Sequence, residues 1–128
     1  MEYCDQPKSR MKIKIKRVYE IPDKEDGIRI LVDRLWPRGL TKKKARVDVW
    51  LKNIAPSTSL RKWFDHDPAK WGEFKKRYLS ELQQNEEYVL LLKEQAKRGT
   101  ITILYAAKDE EHNEARFLRD AFTAGDLK

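Results

Sequence analysis

Two short segments of the chain carry side chains that could bind an anion or move a proton. Positions 33–39 read D-R-L-W-P-R-G, and positions 104–113 read L-Y-A-A-K-D-E-E-H-N. Guanidinium groups bind phosphates and carboxylates through paired donors, and a histidine held by a carboxylate exchanges protons near neutral pH. The candidate catalytic residues are Asp33, Asp109 and His112, and the candidate ligand-binding residues are Arg34, Trp36, Arg38, Arg61 and Tyr105.

Most of these candidates lie at the end of an apolar run that predicts a buried β-strand. Residues 28–32 read I-R-I-L-V, and residues 100–106 read T-I-T-I-L-Y-A. Runs of this length and composition are typical of strands that are covered on both faces. If the two strands lie parallel in one sheet, their carboxyl ends meet at the edge where α/β proteins place their ligands. We therefore expect the candidates of the two segments to lie close together.

Each candidate also has a structural interpretation. We expect a helix to begin at Asp109, which would place His112 on the same inward face as Ala115. As a general acid or base, His112 needs Asp33 or Asp109 to fix its tautomer. The alternative is a hydrogen-bonded packing histidine. For the arginines, the alternative is ion pairing with neighbouring aspartates.

The segment around Asp67 is predicted to be structural. An aspartate followed by Pro68 is a strong helix start, because the carboxylate caps free amides and proline suits the first helical position. Aromatic and aliphatic residues at 71, 74, 78 and 82 then form a stripe typical of a core-facing helix. We therefore assign His66, Asp67 and Trp71 to structure, with His66 stacking on Trp71.

The remaining patterns complete one α/β domain. Alternation at 11–16 and at 47–51 predicts two further strands, and helices are predicted at about 86–98 and 109–124. Short helices are expected after Thr41 and after Ser57 or Ser59. We expect a single three-layer-like α/β domain over residues 11–124, with a mainly parallel, or mixed, sheet of about four strands flanked by helices. The connection at 19–27 is too short for an ordinary helical crossover, so the relative direction of the first two strands stays open. Residues 1–10 and 125–128 are predicted tails.

Composition and missing motifs narrow the classes of partner. With 28 Lys and Arg against 21 Asp and Glu, the net charge of +7 favours anionic partners. A small anionic molecule is the predicted partner, nucleic acid contacted by the basic cluster at 42–46 is the alternative, and scaffolding is the third option. The single cysteine, Cys4, predicts a cytoplasmic protein, and the absence of a long apolar run predicts no membrane segment. No metal site is predicted, and the sequence identifies neither a cofactor nor an oligomeric state.

Four ordered motifs resemble those of the YeaO-like proteins, a family within a larger group of domains of unknown function. They are D-R-L-W-P-R-G at 33–39, W-L-K-N-I-A-P-S at 50–57, H-D-P at 66–68 and L-Y-A-A-K-D-E-E-H-N at 104–113. The resemblance implies an α/β fold with a mainly parallel sheet, and a shared surface made of the candidate residues together with His66 and Asp67. It implies no mechanism. Longer relatives carry cysteines where this chain has Tyr105 and Asn113, so thiol chemistry is not implied here.

Overall fold

The computed structural model describes residues 12–125, and it shows one α/β domain. The predicted tail at 1–10 and the last three residues lie outside the described part. The strands are β1 (Ile13–Arg17), β2 (Ile28–Leu31), β3 (Val49–Trp50) and β4 (Ile101–Tyr105). The α-helices are α1 (Lys42–Ala45), α2 (Thr58–Phe64), α3 (Trp71–Gln84), α4 (Glu86–Arg98) and α5 (Glu114–Ala124), and single 3-10 turns span Lys24–Asp26, Lys52–Ile54 and Pro68–Lys70.

The four strands form one parallel sheet in the order β1-β4-β2-β3. This settles the direction that the sequence left open, because β1 and β2 run the same way with β4 between them. Residues 18–27 connect them without a long helix. An extended segment of this length spans about 33 Å, which is enough to return along a strand of about 17 Å and step across β4.

One face of the sheet packs against α3, α4 and α5. Ile30 and Ile103 from the sheet are fully buried there, together with Leu92 and Leu118 from the helices. Tyr78 from α3 is also fully buried, and its hydroxyl donates to the carbonyl of Ile54 at 2.7 Å. Burial of each large apolar side chain contributes about 1.5–3 kcal/mol, so this face holds most of the hydrophobic core.

The other face is covered by loop and by α1. Val18, Leu31, Ala45 and Leu104 form a small second core there, against which Trp36 packs. The segment between β2 and β3 therefore forms the third layer, although it contains only the one-turn helix. Because the apolar contacts of this segment hold it against the sheet, the D-R-L-W-P-R-G loop has a fixed position.

A buried ion cluster ties this covering segment to the sheet. The Asp26 carboxylate is 2.6 Å from the Arg29 guanidinium and 3.2 Å from the Lys16 ammonium. Arg29 also donates to the carbonyls of Ala45 and Arg46, at the end of α1. Burial alone would raise the pKa of Asp26, but a backbone amide and the two cations outweigh it, so that the pKa lies below its ordinary value.

The helix starts follow the predicted capping residues with one exception. Thr41 caps α1, and Ser57, rather than Ser59, caps α2 by accepting from the amide of Leu60 at 3.1 Å. Asp67 caps the 3-10 turn that leads into α3. The apolar stripe of α3 is confirmed, since Phe74, Tyr78 and Leu82 are buried. None of the helices within residues 12–125 has the length and apolar character needed to cross a bilayer.

The exception is α5, for which the predicted start at Asp109 was wrong. Asn113 caps this helix by accepting from the amide of Arg116 at 2.8 Å, and the helix begins at Glu114. Asp109 instead accepts from the amides of Glu111 and His112, which closes a turn before the helix. An aspartate satisfies nearby amides equally well in a turn and at a helix cap, so the sequence pattern does not distinguish the two.

Candidate functional site

A cavity of about 570 Å³ opens at the carboxyl ends of β2 and β4. Its wall consists of the loop after β2, residues around α2, and residues between β4 and α5. From the residues singled out in the sequence, those that line it are Asp33, Arg34, Trp36, Arg38, Arg61, His66 and His112. Parallel pairing of β2 with β4 brings the two motif segments together, as the strand pattern predicted.

Asp33 joins the two strand ends at the base of the cavity. One of its carboxylate oxygens accepts from the amide of Ala106 at 3.0 Å, and its carbonyl accepts from the indole nitrogen of Trp50 at 2.8 Å. The Trp50 ring lies edge-on to Trp36, whose own indole donates to the carbonyl of Leu40 at 2.7 Å. These contacts fix both ends of the loop, and Asp33 cannot swing away without breaking them.

Glu114 lines the cavity wall but was not among the residues predicted from the sequence. It is the first residue of α5, and it lines the cavity together with Asp33. Burial raises the pKa of Glu114 well above its ordinary value, the nearby Asp33 charge raises it further, and Arg61 opposes this only in part. Glu114 and Asp33 form the acid pair of the cavity, and the raised pKa favours the protonated form of Glu114. The acidic first turn of this helix was visible in the sequence, but such residues usually face solvent and only favour the helix dipole.

Three guanidinium groups face the same cavity. Arg34 donates to the carbonyls of Ala55 and Pro56, at 3.1 and 3.3 Å, and so holds the segment that leads into α2. Arg38 and Arg61 are exposed on the wall. Within residues 12–125 none of these arginines forms a salt bridge with a carboxylate, so the predicted alternative of pairing with neighbouring aspartates is not observed there.

His112 is oriented by Asp109. The Nδ1 atom of the imidazole lies 2.9 Å from a carboxylate oxygen of Asp109. The pKa of Asp109 is lowered, first by the amide of Glu111 and then by this contact with His112. The Trp71 ring lies edge-on to the imidazole, with 5.4 Å between centroids. The sequence predicted Asp33 or Asp109 as the partner of His112, and Asp109 is the one that holds the ring. Because Nδ1 contacts Asp109, Nε2 is the nitrogen available to a ligand.

The other singled-out residues lie around this wall or beneath it. His66 does not stack on Trp71, which instead contacts Phe64, Phe74 and His112. The His66 backbone has φ 55°, next to Asp65 with φ 47°, and this paired left-handed conformation turns the chain along the cavity. Tyr105 is buried in the core beneath the wall, and burial raises the pKa of its hydroxyl.

The arrangement can hold an anion and exchange a proton, and within the described residues it offers no metal centre. Both histidines of the chain line the same cavity as the arginines. In residues 12–125 no group of three histidine, cysteine, aspartate or glutamate side chains could hold a metal ion. Positively charged guanidinium groups, one acid pair and an oriented imidazole are thus the available functional groups.

Comparison with known proteins gives relatives that span nearly the whole domain. The uncharacterized protein YeaO of Escherichia coli is 46% identical over 110 residues, which cover 86% of this chain and 96% of the relative. The uncharacterized protein Rv3073c of Mycobacterium tuberculosis is 38% identical over 107 residues, which cover 84% and 90%. No solved structure matches this chain.

Comparison with family models gives a match that spans the described residues. A family model described as the inactive DUF488-N3 subclade, DUF488-N3i, matches residues 12–125. These residues contain all four motifs that resemble the YeaO-like proteins, together with both sides of the cavity. The chain therefore belongs to the DUF488-N3i family, and it is similar to the YeaO protein.

Proposed function

We propose that the protein binds a small molecule bearing a phosphate or carboxylate group in the cavity at the carboxyl edge of the sheet. The observation that carries the proposal is the presence of three guanidinium groups on one wall with no carboxylate salt bridge within residues 12–125. The paired donors of a guanidinium group match a phosphate or carboxylate, and Arg38 and Arg61 are exposed on the wall.

The charge balance of the cavity supports an anionic ligand. Two carboxyl groups, those of Asp33 and Glu114, line the same cavity, and the raised pKa of Glu114 disfavours its charged form. Arg34, Arg38 and Arg61 contribute three positive charges. A concave wall with a net positive charge concentrates anions and increases their rate of association.

Binding without turnover is the form of this function that we favour. The matching family model is described as an inactive subclade. Acid–base catalysis also requires a substrate bond positioned next to the catalytic group. His112, oriented by Asp109, has the geometry of a general acid or base. Proton transfer through Nε2 is accordingly the catalytic alternative, and it would use the same anion-binding wall.

Thermal-shift and calorimetric titrations with inorganic phosphate, propyl phosphate and propionate test the proposal. A ligand at a hundred times its dissociation constant stabilises the folded state by about 2.7 kcal/mol, which is readily measured. Arg61→Met and Arg38→Met should each weaken the affinity about tenfold or more, because a charge-assisted hydrogen bond is lost. Arg98→Met, an exposed arginine at the end of α4, is the matched control. The proposal fails if none of these anions binds, or if the wall variants bind as tightly as the control.

A nucleic-acid partner is the second candidate, and it rests on a different surface. Lys42, Lys43, Lys44 and Arg46 are all exposed, and they cluster at α1. Replacement of the three lysines by glutamine should abolish binding that depends on phosphate contacts, and the affinity of the unmodified chain should fall steeply with added salt. Absence of affinity for single- or double-stranded DNA and RNA at low salt would remove this candidate.

A further inference from the structure

The cavity holds more than an anion-binding wall. Its volume of about 570 Å³ lies within the range of roughly 300–1,000 Å³ that is typical of sites for whole small molecules. Apolar groups line it between the charged groups, including Leu35, Pro37, Phe64 and Phe74. A bare phosphate or carboxylate would leave most of this space empty, so the ligand must extend beyond the arginines.

The Asp33–Glu114 pair has an energetic cost that packing does not explain. Two carboxyl groups that line one cavity repel each other when both are ionised, and burial and the Asp33 charge raise the pKa of Glu114. Asp33 accepts from the amide of Ala106 at 3.0 Å. A titratable group in a cleft whose pKa is shifted by burial and by a neighbouring charge is a candidate for a functional site.

The hydrogen-bonding capacity of the pair determines what it can recognise. A carboxylate accepts at about four lone-pair positions, and Asp33 uses one for the Ala106 amide. Asp33 lines the cavity, so its remaining lone-pair positions are available to accept from a ligand. The partner that fits is therefore a hydroxyl or amino donor.

We propose that the ligand is an anion that also carries a hydroxyl or amino group, with the anionic group held by the arginine wall and the donor bound by the Asp33–Glu114 pair. This inference rests on the proposed function. It specifies a hydroxylated or aminated phosphomonoester or carboxylate, of which glycerol 3-phosphate and glycerate are the smallest convenient probes. The apolar groups between the two poles contact the carbon skeleton of the ligand.

The test is an affinity series on the unmodified chain at neutral pH. Propyl phosphate is compared with glycerol 3-phosphate, and propionate with glycerate, by isothermal titration calorimetry. Within at least one matched pair the hydroxylated compound should bind about tenfold or more tightly, as expected for hydrogen bonds to a charged acceptor. Equal affinity within both pairs overturns this inference and leaves the proposed function standing. Absence of binding by all four compounds overturns both.

A variant of Asp33 separates recognition from general damage. Asp33→Asn removes a negative charge beside the arginines, so propyl phosphate should bind as tightly as before or more tightly, while the preference for the hydroxylated compound falls to about twofold or less. Glu110→Gln, an exposed glutamate outside the wall, should change neither affinity. A hydroxyl preference that survives Asp33→Asn contradicts the assignment. If this variant does not fold, the ligand series on the unmodified chain still decides the question.

Discussion

Replacement of Asp26 by alanine should be among the most destabilising single changes outside the apolar core. Asp26 is 1% exposed, and its partner Arg29 is 4% exposed. The substitution leaves a buried guanidinium without its counter-ion, and loss of one member of a buried ion pair costs about 3–5 kcal/mol. For a domain of this length such a loss lowers the melting temperature by about 10–20 °C.

Urea unfolding followed by circular dichroism measures this difference, and the chain offers a matched control. Asp120 contacts two arginines, Arg116 and Arg119, but its side chain is 56% exposed. Asp120→Ala should cost less than about 1 kcal/mol, because exposed ion pairs contribute little. The double variant Asp26→Ala with Arg29→Met should be more stable than Asp26→Ala alone, since it removes the uncompensated charge.

The dependence on pH gives an independent check of the same reasoning. The pKa of Asp26 in the folded chain lies below its ordinary value of 3.8. Its contribution to stability is therefore fully present above pH 3.8 and is lost as the pH falls through the lower folded pKa. The gap between the unmodified chain and Asp26→Ala should narrow in that acidic range. If Asp26→Ala costs no more than Asp120→Ala at neutral pH, the argument from burial is refuted.

Three further substitutions should change the free energy of unfolding in a stated direction. Glu114→Gln should raise it at neutral and alkaline pH, because the folded pKa of Glu114 is raised and the native state therefore loses stability as the pH rises above the ordinary value of 4.5. Urea titrations at pH 5 and pH 8 measure this difference, and equal effects at both pH values would contradict it. Gly27→Ala should lower the free energy of unfolding by at least about 2 kcal/mol, since the backbone has φ 67° and the new Cβ would lie 2.0 Å from the carbonyl oxygen of Thr100. Thermal unfolding measures this loss, and an unchanged melting temperature would contradict the prediction. Tyr78→Phe should lower the free energy of unfolding by about 1–3 kcal/mol, because the buried carbonyl of Ile54 loses its donor. Chemical denaturation measures this loss, and an unchanged free energy of unfolding would mean that water replaces the hydroxyl.

The geometry of the site bears on the distinction between ligand binding and catalytic turnover. The wall carries guanidinium groups, and the imidazole of His112 on the same wall is oriented by Asp109. Recognition needs the wall alone, whereas catalysis also needs a reacting bond aligned with an acid–base group. Activity assays and binding assays on this chain therefore answer different questions.

Much of the fold was predictable because its signals are local. The apolar stripe of α3, the caps at Thr41 and Asp67, and the basic last turn of α4 each depend on neighbours within one or two helical turns. The start of α5 was not predictable in this way. Asp109 and Asn113 both offer the side-chain oxygen that a helix cap requires, and their surroundings decided which of them acts as the cap.

The sequence by itself determined which segments are strands and helices, and it placed Asp33 and His112 at the ends of elements that could meet. The tertiary structure alone decided that β4 lies between β1 and β2, that Asp109 orients His112, and that Glu114 pairs with Asp33. The reason is physical. Periodicity and capping are short-range properties of the chain, whereas burial and the pKa of a carboxyl depend on groups that folding brings from distant positions.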